Sequence, residues 1–147
     1  MIRTEQEYQL TLQKLSDQEE RIRQQADQLK AMKIDKAGIK RVLDPIRCLS
    51  AQLKDEIETY ESLKRGEFPE LENFAGMGQM LIALRISQGL TQRELAQRMG
   101  VNESQVSRDE RNEYHGITLD RAQRILEVLE VRMTTTVQSP GPMNRAG

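Results

Sequence analysis

An all-α fold follows from three features of the sequence. Helix-forming residues are abundant: 31% of positions are charged and only 3% are aromatic, and the rest is rich in Leu, Ile and Gln. Apolar residues up to Arg65 recur at spacings of three and four instead of alternating. Between Leu90 and Arg108, two short helical patterns flank a turn that contains a glycine.

The first helix is read from Tyr8, Leu12, Leu15, Ile22, Ala26 and Leu29, a heptad-like seam interrupted at Glu19. The pattern blurs from Met32 to Gly38, and Gly38 suits a turn. A second helix is expected from Asp44 as N-cap, with Pro45 at its first position. Its stripe is Ile46, Leu49, Leu53, Ile57, Tyr60 and Leu63, ending at Lys64-Arg65-Gly66. Residues 1–66 therefore read as a coiled-coil-like antiparallel hairpin.

A narrow hairpin buries little area alone, so its seam is expected to pair with a second copy or another protein. The residues concerned are Tyr8, Leu12, Leu15, Ile22, Leu29, Ile46, Leu53, Ile57 and Tyr60. The alternative is a self-contained hairpin. Gly66-Glu67-Phe68-Pro69 breaks the helical pattern and opens a linker over 67–75. Residues 76–133 form the second unit. Residues 134–147, rich in Thr, Pro and Gly, read as a disordered tail.

Composition excludes several classes of function. The single cysteine, Cys48, precludes an internal disulfide, and its place on an apolar helix face suggests a packed thiol. The single histidine, His115, has no cysteine or second histidine nearby, so neither a metal site nor a cofactor is expected. One His and one buried Cys cannot assemble a nucleophile, a base and an orienting group, so the chain is not expected to be an enzyme. No apolar run approaches membrane-spanning length and no secretory signal opens the chain, which points to the cytoplasm. Net charge is −1, and residues 74–133 carry eight Arg against eight acids. Any polyanion-binding face must come from the placement of Arg, not from overall charge.

The stretch from Leu90 to Arg108 carries the functional reading. Thr91 is an N-cap, and Glu94 completes a capping box. Leu95, Ala96 and Met99 form the buried side of a short helix that Gly100 ends. Val101 plugs the turn, Asn102 caps the next helix, and Val106 anchors it. Glu103, Ser104, Gln105, Ser107 and Arg108 are left on its outer side. A helix fixed in this way presents its polar edge to a major groove. Ser, Gln and Arg supply donors and acceptors for base edges, and Glu accepts from cytosine. Gln92, at the N-terminus of the preceding helix, is placed for a phosphate. Arg85, one helix earlier, is assigned a structural hydrogen bond or ion pair. Gly76-Met77-Gly78 lacks the strand and lysine of a phosphate loop and reads as a helix start.

This run resembles the Cro/CI-type helix-turn-helix, or Xre, family. The resemblance rests on Leu90-Thr91-Gln92, Glu94-Leu95-Ala96, Gly100-Val101, Val106-Ser107-Arg108 and Glu110-Arg111. It extends back to Leu81, Leu84, Arg85 and Gly89, and forward to Thr118-Leu119 and Ile125-Leu126-Leu129. It implies a compact five-helix unit that binds double-stranded DNA as a homodimer, most simply as a repressor. The base contacts it implies fall on Glu103, Ser104, Gln105 and Arg108, and the phosphate contacts on Gln92 and near Arg111. Asn102 and Ser107, beside them on the same helix and its cap, complete the expected DNA-binding set.

Three departures stand out. Asp109 replaces an apolar or aromatic residue, and Asn112 replaces a glycine. Acids at Glu103, Asp109, Glu110 and Glu113 crowd the expected DNA side. The helical extension before the motif, with Glu7-Tyr8 and the run from Glu58 to Lys64, is similar to that of HigA-type antitoxin regulators. That resemblance implies a co-encoded toxin as a further partner.

Overall fold

The computed structural model describes residues 1–138, so the last part of the expected tail, 139–147, lies outside the described residues. Residues 134–138 are exposed and without regular structure. Six helices and no strand occur among the described residues: α1 (Glu5–Ala31), α2 (Lys36–Lys64), α3 (Met77–Ser87), α4 (Gln92–Met99), α5 (Glu103–Arg111) and α6 (Leu119–Val128). The fold is all-α, as expected.

Helices α1 and α2 form an antiparallel hairpin within one chain. Thr4 caps α1 by accepting from the Glu7 amide at 3.2 Å. Asp35 caps α2 by accepting from the Gly38 amide at 2.9 Å. The N-cap of α2 thus lies nine residues before the expected Asp44, and Pro45 lies inside the helix. The buried or half-buried residues Ile39, Leu43, Ile46, Ser50, Leu53, Ile57 and Tyr60 explain why, since they run unbroken at alternating spacings of four and three. Pro45 removes one N–H from this helix, but it lies on the exposed side, where water can satisfy the orphaned carbonyl. Ser50 keeps its hydroxyl satisfied by donating to the Ile46 carbonyl at 3.3 Å. Cys48 is exposed, not packed, because the seam passes through its neighbours on the helix.

The expected pairing residues turn inward. Tyr8, Leu12 and Leu15 pack against the core, Ile57 and Tyr60 are buried in it, and Ile22, Leu29, Ile46 and Leu53 are half-buried. Tyr8 and Tyr60 stack with ring centroids 5.1 Å apart, and Tyr8 donates to Glu61 at 2.6 Å.

Helix α3 is the hub. Met80 to Ile86 are all buried, as in a helix surrounded on every side. Ile2, Ile57, Tyr60 and Leu63 from the hairpin join Leu95, Val106, Tyr114, Ile125 and Leu129 in the same core as α3. The hairpin base and the following helices therefore share one interior. The Gly76-Met77-Gly78 triplet is a helix start, with Gly76 as the N-cap of α3.

Four helices, not five, make up the second unit among the described residues. Helix α6 stops at Val128, and Glu130 takes a left-handed conformation at φ 55°. Leu129, Val131 and Met133 still pack on the core, so the burial expected of a fifth helix is met without one.

Candidate nucleic-acid interface

Local chemistry fixes α4 against α5. Thr91 accepts from the Glu94 amide at 3.1 Å, and the Glu94 carboxylate accepts from the Thr91 amide at 2.7 Å. The capping box is complete, and the Thr91 backbone bond holds the Glu94 carboxyl below its usual range. Gly100 ends α4 at φ 69°, and Val101 donates back to the Ala96 carbonyl at 3.0 Å. Leu95, Ala96 and Met99 are buried, and so is Val106 of α5. Asn102 occupies the N-cap of α5 in extended backbone, but its side chain makes no cap hydrogen bond.

Helix α5 divides cleanly between outside and inside. Glu103, Ser104, Arg108 and Arg111 are exposed, with Gln105 and Ser107 half-buried beside them. The spacing of 104, 108 and 111 places these side chains along one face. Arg108 and Arg111 enter none of the ion pairs among the described residues. The inner side carries Val106 and Glu110, both essentially without solvent contact.

Glu110 lies at the centre of a buried network. Its carboxylate is gripped at both oxygens by Arg85, through Nε at 2.5 Å and Nη2 at 2.6 Å. Gln92 Nε2 donates to the same carboxylate at 2.8 Å. The remaining Arg85 donors go to the Leu90 carbonyl at 2.7 Å and the Arg3 carbonyl at 2.9 Å. Arg85 thus has the structural role expected of it.

Asp109, at the position expected to be apolar, forms an ion pair with Arg121 of α6. Two of the four acids expected to crowd the DNA side are therefore neutralised inside the chain. Of the other two, Glu103 is exposed, and Glu113 accepts from Gln79 at 3.2 Å.

The expected residues fall into three groups. Asn102, Glu103, Ser104, Gln105, Ser107 and Arg108 lie together along the N-terminal two turns of α5 and its cap. Arg111 lies at its C-terminal end. Gln92 is on α4 and is held to α5 by Glu110. The sequence reading missed Arg3, whose Nη1 donates to the Glu110 carbonyl at 3.2 Å across 107 positions of chain. Nothing local to Arg3 signals that contact. His115 is an exposed loop residue.

With this geometry in view, comparison with known proteins supplies the class. Residues 81–135 match the family model described as Helix-turn-helix. The match covers a little over a third of the chain and supports a helix-turn-helix, DNA-binding character for that segment. No curated protein and no solved structure matches the chain. Among the described residues, no helix is long and apolar enough to cross a membrane.

Proposed function

We propose that the chain is a cytoplasmic, sequence-specific regulator that binds double-stranded DNA as a homodimer and represses transcription from the site it occupies. The observation that carries this reading is the division of α5: an exposed polar row outside, and acids neutralised by Arg85 and Arg121 on the sides that meet the fold. In a major groove, Arg108 suits a guanine, Gln105 an adenine and Glu103 the amino group of cytosine, with Asn102, Ser104 and Ser107 adding shorter-range bonds. Gln92 uses one amide hydrogen on Glu110 and keeps the other for a phosphate. Arg111 takes a second phosphate.

A homodimer places two α5 helices about 34 Å apart on a near-palindromic site. The hairpin seam is filled within the chain, so the pairing face is assigned to exposed apolar residues beside α6. Phe74 is 65% exposed and Leu119 66% exposed, and both flank the half-buried Met77. The test is a gel shift with DNA from upstream of its own coding region, run against random competitor at two salt concentrations. Competitor-resistant binding supports the reading, and loss of the complex to random DNA at both salts removes it.

A second reading, that of an antitoxin that also represses its own operon, draws on the far end of the hairpin. There Met32, Ile34 and Val42 are exposed, apolar side chains at a solvated tip. Co-purification with the product of an adjacent small reading frame supports a toxin partner. Failure to form that complex leaves the DNA-binding role alone.

A further inference from the structure

The segment before α1 ties the hairpin to the helix assigned to base reading. Ile2 is 4% exposed and sits in the shared core. The Arg3 carbonyl accepts from Arg85 Nη2 at 2.9 Å, and its guanidinium donates to the Glu110 carbonyl at 3.2 Å. The Arg3 amide in turn donates to the Glu7 carboxylate at 2.7 Å, in the first turn of α1. Direct bonds therefore run from α1 through Arg3 to both members of the buried pair, and from Glu110 to Gln92.

The carbonyl that Arg3 engages is one of the last of α5; it already accepts from the Glu113 amide at 3.0 Å, and the Arg3 guanidinium adds a second bond at its other lone pair. A guanidinium there also meets the negative end of the helix dipole. Arg3 thus adds a second donor to the C-terminal turn of α5 from a distant part of the chain.

We propose that Arg3 is a positioning residue for the DNA-reading surface. By holding the C-terminal turn of α5 and the Arg85–Glu110–Gln92 network, it lets the hairpin set the affinity of α5 for DNA. This rests on the DNA-binding reading above. It assigns Arg3 no contact with DNA, which makes it separable from a phosphate ligand: removing a phosphate contact lowers the slope of log affinity against log salt by about one, whereas removing a positioning bond leaves the slope unchanged.

The experiment first selects a preferred duplex from a randomised pool with the unaltered chain. Arg3→Ala, Arg3→Lys and Glu7→Ala are then titrated against that duplex over a range of salt. Arg3→Ala is expected to weaken binding about tenfold, the loss of one charge-assisted bond, with the salt slope preserved. Arg3→Lys, which keeps a donor and the charge, recovers part of the loss. Glu7→Ala, which frees Arg3 from α1, weakens binding in the same direction and carries the test if Arg3→Ala fails to fold. Unchanged affinity in the Arg3→Ala and Glu7→Ala variants, or a slope reduced by about one in Arg3→Ala, overturns the proposal. Should no duplex be enriched, the DNA-binding reading falls by itself. The positioning role is then judged by hydrogen exchange at Asn112 and Glu113, which must accelerate in Arg3→Ala if Arg3 holds that turn.

Discussion

Gly78, in the first turn of α3, packs directly on the backbone of Glu113 in the loop after α5. A Cβ at Gly78 would lie 1.8 Å from the Glu113 carbonyl oxygen. Glu113 and Tyr114 are themselves left-handed, at φ 50° and 52°, so the loop holds a strained conformation against that glycine.

Gly78→Ala is therefore expected to lower stability by about 1–3 kcal/mol, the usual range for overpacking, because the atom it meets is backbone and cannot swing away. Glu113→Gly removes a left-handed side-chain penalty and is expected to raise stability by up to about 1 kcal/mol. Urea unfolding of both variants checks the pair, and an unchanged Gly78→Ala midpoint contradicts the contact.

The Arg85–Glu110 pair predicts an asymmetry between single and double substitution. Glu110→Gln leaves the Arg85 charge buried without its counterion and is expected to cost about 3–5 kcal/mol. Arg85→Met combined with Glu110→Leu removes both charges and recovers most of that loss. The same unfolding measurement decides, and a double variant no more stable than Glu110→Gln argues against the ion pair as the cause.

The outer face of α5 predicts two kinds of DNA defect. Arg108→Ala is expected to cost about 1–3 kcal/mol on a preferred duplex and to relax the base preference at one position. Arg111→Ala is expected to weaken binding evenly across sequences and to lower the salt slope by about one. Repeating the selection with each variant separates them, and identical profiles for both would remove the assigned roles.

Leu119→Ser and Phe74→Ser test the pairing face. Both side chains are largely exposed, so the fold should tolerate them while sedimentation shifts from dimer to monomer. A dimer that persists in the double variant places the interface elsewhere.

Tyr114 predicts an alkaline limit to stability. Burial, and then the charge of Glu110, push its phenol well above the ordinary value. The fold holds the neutral form, whereas the unfolded phenol ionises near pH 10 (about the free value). The stabilisation is full below about pH 10 and falls as pH rises past it. Urea midpoints between pH 9 and 11 should fall more steeply for the unaltered chain than for Tyr114→Phe. Tyr8 and Tyr60, which are also shifted upward, remain in both chains and cancel.

What could be read in the sequence was local. The Thr91–Glu94 box, the Gly100 stop and the Val106 anchor are each set by residues within a few positions, and all three appear as expected. The hairpin was legible from its seam, but the start of α2 was not. Pro45 looked like a beginning, and Ser50 hid the continuity of the stripe. Cys48 is exposed because the seam runs through Ile46 and Ser50, not through Leu49 beside it. Partnerships across the chain left no local trace. Asp109 looked like an affront to DNA until Arg121 was beside it, and Glu110 looked exposed until Arg85, Gln92 and Arg3 enclosed it.

The bond from Arg3 to Glu110 also bears on how the molecule is made. Synthesis runs from the N- to the C-terminal side, so Ile2 and Arg3 leave the ribosome before Arg85 and Glu110 exist. The hairpin can zip along its own seam while translation continues, but Arg3 cannot complete its long-range bonds until α3 and then α5 emerge. That joint thus links an early stretch of the hairpin unit to a helix made much later. Until α3 emerges, the apolar flank of α2 that will receive it stands open to water.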